Sequence, residues 1–150
     1  MPVTLQQLGR SAWEADTQAR HDLARIYADA PRERLPLPVD DFIHDHLAAG
    51  HFYFCARFGE HLLGAVAVQD SGDAWWLSHL CVRESTRRSG VGSRLLALVG
   101  ESAGLQGRRM RVLASQLPMA DQVLLSRLGY RLTPAGDYFE LNLPGQGDSE

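Results

Sequence analysis

Apolar residues recur along this chain at two spacings, and each spacing predicts a different element. Over residues 3–8 they alternate, which is the period of a half-buried strand. From Ser11 onward the period lengthens: Trp13, Ala19, Leu23 and Ile26 share a helical face. Ser11 and Glu14 have the spacing of a capping box, in which two side chains satisfy free amides at a helix start. Three prolines within residues 31–38 break that helix into a loop, because proline has a fixed φ and no amide to donate. A second helix fits residues 39–49. Phe42, Ile43, His46 and Leu47 follow its period, and Gly50 stands where a C-terminal glycine cap belongs.

The pattern then turns strand-like. Residues 51–58 and 62–68 are rich in aromatic and β-branched side chains, and Gly59-Glu60 between them suits a tight hairpin turn with positive φ at Gly59. After a turn at 70–73, residues 74–82 read as a third apolar strand. The adjacent Trp75 and Trp76 must face opposite sides of it, one into the core and one toward a groove or partner surface. A helix follows over 91–103, carrying Val91, Leu95, Leu96, Leu98 and Val99 and closed by Gly104. Residues 109–114 form a strand, 120–128 a helix capped by Gly129, and 130–133 with 138–143 a final strand pair. The predicted order is one strand, two helices, three strands, helix, strand, helix and two strands.

Composition narrows the class. The 150 residues suit one compact domain over 1–143, and the Gly, Asp and Ser content of 144–150 reads as a flexible tail. A net charge of -3 argues against a nucleic-acid binder, which carries a strongly basic face. All 15 basic residues are Arg, a planar donor that matches phosphate oxygens bidentately. Cys55 and Cys81 lie in apolar runs, where a free thiol packs as a small hydrophobe. No run approaches the roughly 20 apolar residues that span a bilayer, and no export signal is visible at the start, so a cytoplasmic location is expected.

Candidate chemistry concentrates in residues 80–93, Leu80-Cys81-Val82-Arg83-Glu84-Ser85-Thr86-Arg87-Arg88-Ser89-Gly90-Val91-Gly92-Ser93, a strand running through a loop into a helix. They contain Arg-x-x-Gly-x-Gly. Gly90 and Gly92 leave no Cβ between backbone and ligand, so successive amides can face one anion, and the helix start adds its positive dipole end. The dinucleotide fingerprint needs a third glycine and the ATPase loop needs Lys-Ser or Lys-Thr, and neither is present. The competing reading makes the glycines a tight connection and Arg87 and Arg88 solvated charges. Against it, two cations at a helix N-terminus oppose the dipole unless an anion sits between them.

With this motif the sequence resembles the GCN5-related N-acetyltransferase (GNAT) superfamily, in which Gln/Arg-x-x-Gly-x-Gly/Ala follows the fourth strand and binds the pyrophosphate of coenzyme A. Arg87, Gly90 and Gly92 match it, and Leu128-Gly129-Tyr130 stands where members have Leu-Gly-Phe or Leu-Gly-Tyr. The resemblance implies an α/β (α+β) fold, a mixed six- to seven-stranded sheet with helices on both faces. It also implies that the strand ending at Leu80, Cys81 and Val82 splays from its parallel neighbour at 109–114 and offers its backbone to pantetheine. Acetyl-coenzyme A is the implied cofactor, held by Leu80, Cys81, Val82, Arg87, Arg88, Ser89, Gly90, Val91, Gly92 and Ser93.

Within that superfamily the chain is most similar to the PanZ (PanM) branch, whose members drive self-cleavage of the aspartate decarboxylase precursor. Asp22-Leu23-Ala24-Arg25-Ile26, residues 56–63 and above all residues 80–92 carry the likeness, the last resembling Leu-x-Val-Arg-Glu-x-Thr-Arg-Arg-x-Gly-Val-Gly. Cys81 replaces an Arg of that branch, Gly59 replaces a polar turn residue, and residues 31–50 are longer. The function implied first is N-acetyl transfer, in which a small-molecule or protein amine attacks the thioester of acetyl-coenzyme A directly; the alternative is a coenzyme-sensing module that promotes maturation of the decarboxylase precursor with little or no acetyl transfer.

Acetyl transfer needs a base for the ammonium and commonly an acid for the departing thiolate. The superfamily's acid is a Tyr four residues before the late glycine, and Leu125 stands there. His79 is the candidate base, with a packed, hydrogen-bonded histidine as the alternative. Glu84 is a second candidate that pairs more readily with Arg87 or Arg88. Cys81 reads as a buried thiol, His44 and His46 point to different helix faces and make no metal pair, and His21-Asp22 reads as an exposed helix pair.

Overall fold

Alternation at the start of the chain becomes strand β1 (Thr4–Leu8), whose last residue is fully buried. The structure, a computed structural model, describes residues 2–30, 35, 37–87, 89–116 and 119–141. Helix α1 (Arg10–Ala15) starts at Gly9 without a side-chain cap, and α2 (Thr17–Ala28) follows at once. The expected capping box therefore does not form, since Ser11 lies inside α1. Asp16 is the cap instead: extended, it accepts the Ala19 amide on Oδ1 at 3.0 Å and divides the single predicted helix into two.

Asp22, read as exposed, is buried. Its carboxylate accepts the Leu62 amide at 3.1 Å and the Gln18 side-chain amide at 2.9 Å, which is how a carboxylate is kept in a core. Most of the proline loop lies outside the described residues, and Pro38 is the N-cap of α3 (Val39–Ala48). Gly50 ends that helix at φ 90° as expected, with the His51 amide reaching back to His46 O at 3.3 Å.

Strands β2 (Phe52–Phe58) and β3 (His61–Asp70) form the predicted hairpin, turning through Gly59 at φ 64°. Strand β4 (Ala74–Val82) has the predicted bounds. Helix α4 (Val91–Leu105) runs through Gly104 and closes at Gly107, where φ is 71° and the Arg108 amide reaches Ala103 O at 2.9 Å. The left-handed residue terminates the helix, so the cap falls three positions later than predicted. After β5 (Arg109–Leu113), helix α5 (Met119–Arg127) ends as predicted at Gly129 (φ 98°), and β6 (Arg131–Leu132) and β7 (Tyr138–Leu141) complete the chain as described. Residues 142–143 of the expected last strand and the expected tail lie outside it.

The strands form one mixed sheet in the order β1-β2-β3-β4-β5-β7-β6, with β4 and β5 parallel and β1–β2, β2–β3, β5–β7 and β6–β7 antiparallel. This is the α/β architecture expected. The described residues fall into two compact units, one within Met1–Val68 and His79–Val99, the other within Gln69–Ser78 and Gly100–Glu150.

In the first unit, Leu23, Ile26 and Tyr27 of α2 and Phe42, Ile43 and Leu47 of α3 pack on Tyr53 and Cys55 of β2 and Ala65 and Ala67 of β3. Phe54, Val66 and Val68, which point the other way, are buried as well. These strands are covered on both faces, which is why they read as nearly continuous apolar runs. In the second unit Trp75, Met110, Val112, Leu125, Tyr130 and Phe139 are buried. Trp76 faces the opposite side of β4, edge-on to Tyr138 at 5.0 Å between ring centroids, with the Arg111 guanidinium 5.4 Å over its ring. Among the described residues no helix is long and apolar enough to cross a membrane.

Candidate functional site

The last residues of β4 depart from a regular ladder. Register with β5 runs only from Ala74↔Arg109 to Leu77↔Val112, whereas β4 continues to Val82. At His79 the backbone turns to φ 53°, which among the described non-glycine residues occurs nowhere else. Its carbonyl accepts the Tyr27 hydroxyl at 2.7 Å, and its ring lies against Phe42 with centroids 4.8 Å apart. Burial lowers the pKa of His79 below the ordinary value, so its imidazole is neutral at pH 7.

Beyond His79 the side chains turn to opposite sides. Cys81 turns to α2 and places its thiol 3.2 Å from Ile26 O. Leu80 and Val82 turn to α4, where a Cβ added at Gly92 would stand 4.0 Å from Leu80 Cδ2 and 3.5 Å from Val82 Cγ2. A tighter approach occurs at Gly64 of β3, where a Cβ would meet Val82 Cγ2 at 3.3 Å and Val91 Cγ1 at 3.4 Å. That glycine lets the start of α4 lie close to the sheet, and Val91, buried there, anchors it.

Between strand and helix the chain makes a single 3-10 turn over Glu84–Thr86. The Arg83 amide still pairs with Leu63 O at 2.8 Å, and the amides of Thr86, Arg87 and Ser89 close internal turns on Arg83, Glu84 and Thr86 carbonyls. The Ser89 hydroxyl also donates to Thr86 O. Asp29, the C-cap of α2, receives this loop: its Oδ2 accepts Arg83 Nε at 3.0 Å and the Glu84 amide at 2.9 Å. These contacts, the Glu84 amide first, hold its carboxyl pKa below the ordinary 3.8. The Arg87 guanidinium donates to Asp29 O at 2.8 Å and Val82 O at 3.3 Å, so it braces the loop and does not pair with Glu84 as expected. Arg88 lies outside the described residues.

Gly90 stands at φ 83° with nothing within 4 Å of where a Cβ would be. Its carbonyl accepts the first helical bond, from the Arg94 amide at 3.0 Å. The amides of Gly90, Val91, Gly92 and Ser93 consequently have no carbonyl within the helix to bond, and the helix dipole places partial positive charge on them. Amides left without helical acceptors at a helix start, beside a position that is open at Gly90, could hold an anion such as a diphosphate. Among the described residues of the predicted cradle, 87 and 89–93, the amides without an acceptor inside the helix are those of 90–93.

Three contributors escaped the sequence reading: Asp29, Tyr27 and Gly64. Each acts on residues far along the chain, and none lies in a local motif. Leu125, where an acid would stand, is buried with 4% of its surface exposed. His46 bonds Phe52 O at 2.8 Å through Nε2, and among the described residues no three His, Cys, Asp or Glu side chains group as metal ligands. Cys55 and Cys81 are buried thiols outside any disulfide, and burial pushes the Cys55 thiol up to about 12.

The profile of the family described as "Acetyltransferase (GNAT) domain, PanZ" matches residues 3–107. A PanD regulatory factor of Escherichia coli strain K12 is 43% identical over 79 residues, 53% of this chain and 54% of that protein. A PanD regulatory factor of Salmonella typhimurium is 54% identical over 46 residues, 31% of this chain and 36% of that protein. These matches span about half of the first relative and about a third of the second. Among solved structures, the E. coli protein YhhK bound to coenzyme A superposes with TM-score 0.63 at 28% identity, covering 95% of this chain and 100% of that one. An aminoglycoside 6'-acetyltransferase of type Ii shares the fold at TM-score 0.67 and 15% identity, over 91% of this chain and 94% of the other.

Proposed function

The chain belongs to the PanZ family of GNAT acetyltransferase domains, and on that premise we propose that it binds acetyl-coenzyme A at the Gly90 turn and, when loaded, acts on the aspartate decarboxylase precursor. One observation carries the binding half: the amides of Gly90, Val91, Gly92 and Ser93 open α4 without helical acceptors, beside space that is free at Gly90. The coenzyme-bound structure of YhhK supports the choice of ligand. Arg87 and Ser89 hold the loop in shape, Val91 anchors the helix start, and Leu80, Cys81 and Val82 present the backbone beyond the end of the β4–β5 ladder. The partner half rests on the relatives named PanD regulatory factor.

A second reading, N-acetyl transfer to a small-molecule or protein amine, is favoured by His79. The coenzyme supplies an acetyl group already activated as a thioester. What the chain adds is a neutral, half-buried imidazole that can take the proton of an ammonium. Leu125 offers no proton in return, which is why transfer ranks second.

Calorimetric titration with acetyl-coenzyme A tests binding. Cleavage of the purified precursor, with and without the loaded chain, tests the first reading, and thiol release with a panel of amines tests the second. Accelerated cleavage that requires the coenzyme supports the regulatory reading; turnover of amines with no effect on cleavage replaces it with the enzymatic one.

A further inference from the structure

We propose that Asp29 is the positioning residue of the coenzyme loop, and that through it coenzyme loading is coupled to the last turn of α2. This inference rests on the coenzyme-binding reading given above. Asp29 accepts three bonds from the loop: Arg83 Nε at 3.0 Å and the Glu84 amide at 2.9 Å on its carboxylate, and Arg87 Nη2 at 2.8 Å on its carbonyl. These partners lie 54 to 58 residues away in sequence, so the contacts close the first unit upon itself.

Apart from its own internal turns and the Arg83 amide on Leu63 O, the described part of the loop is tied to the first unit through Asp29. Glu84, Ser85, Arg87, Ser89 and Gly90 are exposed, and a segment without a buried face opens at low free energy unless it is strutted. Asp29 supplies the strut. The site is favourable for arginine too, because the carbonyl end of α2 carries the negative end of its dipole. Both arginine side chains are thereby directed to α2, which leaves the main-chain donors at 90–93 for an anion. Two and three residues earlier the same helix grips β4: the Tyr27 hydroxyl donates to His79 O, and Ile26 O accepts from the Cys81 thiol. One turn of α2 thus holds both the strand and the loop.

A loop fixed in advance binds without an ordering cost, and a loosened one binds only with the fraction that is correctly shaped. Coupling is reciprocal, so a ligand on the 90–93 amides must steady the end of α2 by the same factor. A loaded chain therefore differs from an empty one at α2 as well as at the loop.

The test uses the full chain with acetyl-coenzyme A as probe, in the variants Asp29→Ala, Asp29→Asn and Arg83→Gln. Asp29→Ala should raise Kd by about tenfold, within the usual range of such coupling. Asp29→Asn keeps an acceptor for the Glu84 amide and should fall between it and wild type. Adding Arg83→Gln to Asp29→Ala should cost little more, because both remove one strut. Coenzyme should slow amide exchange over residues 26–30 in wild type and not in Asp29→Ala. Wild-type affinity in a folded Asp29→Ala overturns the proposal; should that variant not fold, wild-type affinity in both Asp29→Asn and Arg83→Gln does so. If wild type itself binds no coenzyme, the coenzyme-binding reading fails, and exchange at residues 84–90 of the empty proteins decides the strut: unchanged rates in Asp29→Ala overturn it.

Discussion

The hydroxyl of Tyr27 donates to the backbone carbonyl of His79 over 2.7 Å, tying the last turn of α2 to a strand residue held at φ 53°. A left-handed histidine persists only where its surroundings fix it, and this bond is one of the fixtures. Burial raises the Tyr27 pKa well above its ordinary value, so the hydroxyl stays a donor. Tyr27→Phe keeps the ring packing and removes only the donor. We expect a loss of about 1–3 kcal/mol in urea unfolding, with a changed His79 signal in NMR spectra. An unchanged midpoint would show that the bond holds nothing.

Two histidines give the fold a pH dependence whose sign is fixed. Burial lowers the pKa of His46 and of His79 below 6.5, so the unfolded chain binds protons that the folded chain refuses. Their contribution to stability is fully present above the unfolded value and is lost as pH falls through the lower folded values. The urea midpoint should therefore drop between pH 7 and pH 5, before ordinary carboxylates titrate. Imidazole proton shifts for both residues should titrate below 6.5; midpoints above that value would reverse the claim.

Gly90 and Gly136 are both left-handed, at φ 83° and 79°, and neither has an atom within 4 Å of the point a Cβ would occupy. Valine at either should cost about 1–2 kcal/mol through the backbone alone. Only Gly90→Val should also abolish acetyl-coenzyme A binding, since only there does the side chain enter the space before the helix amides. Equal binding by the two variants in calorimetry would remove Gly90 from the site.

At Gly64 the constraint is space. Alanine there would press on Val82 Cγ2 at 3.3 Å, Cys81 O at 3.4 Å and Val91 Cγ1 at 3.4 Å. Overpacking of this kind costs about 1–3 kcal/mol, and because Val91 opens α4 the coenzyme should bind more weakly too. A Gly64→Ala protein with wild-type melting temperature and affinity would show that the helix start yields freely.

Local chemistry made much of this fold readable. The bounds of β4, the Gly59 hairpin turn and the helix ends at Gly50 and Gly129 all follow from periods and glycines within a few residues of each other. Where a local signal has a rival close by, the rival prevails: Asp16 and not Ser11 is the cap, and Gly107 and not Gly104 ends α4. Long-range partners were out of reach. Nothing around Asp29 announces Arg83, and nothing around Asp22 announces the Leu62 amide that buries it, because both pairs exist only once the sheet has brought distant segments together.

The most direct measurement of the central claim is a nitrogen–proton NMR titration of the labelled chain with acetyl-coenzyme A. The amides of Gly90, Val91, Gly92 and Ser93 should move downfield together and saturate at a common Kd, as donors engaging a diphosphate. Shifts confined to other residues, or none at saturating coenzyme, would contradict the assignment of this helix start as the coenzyme site.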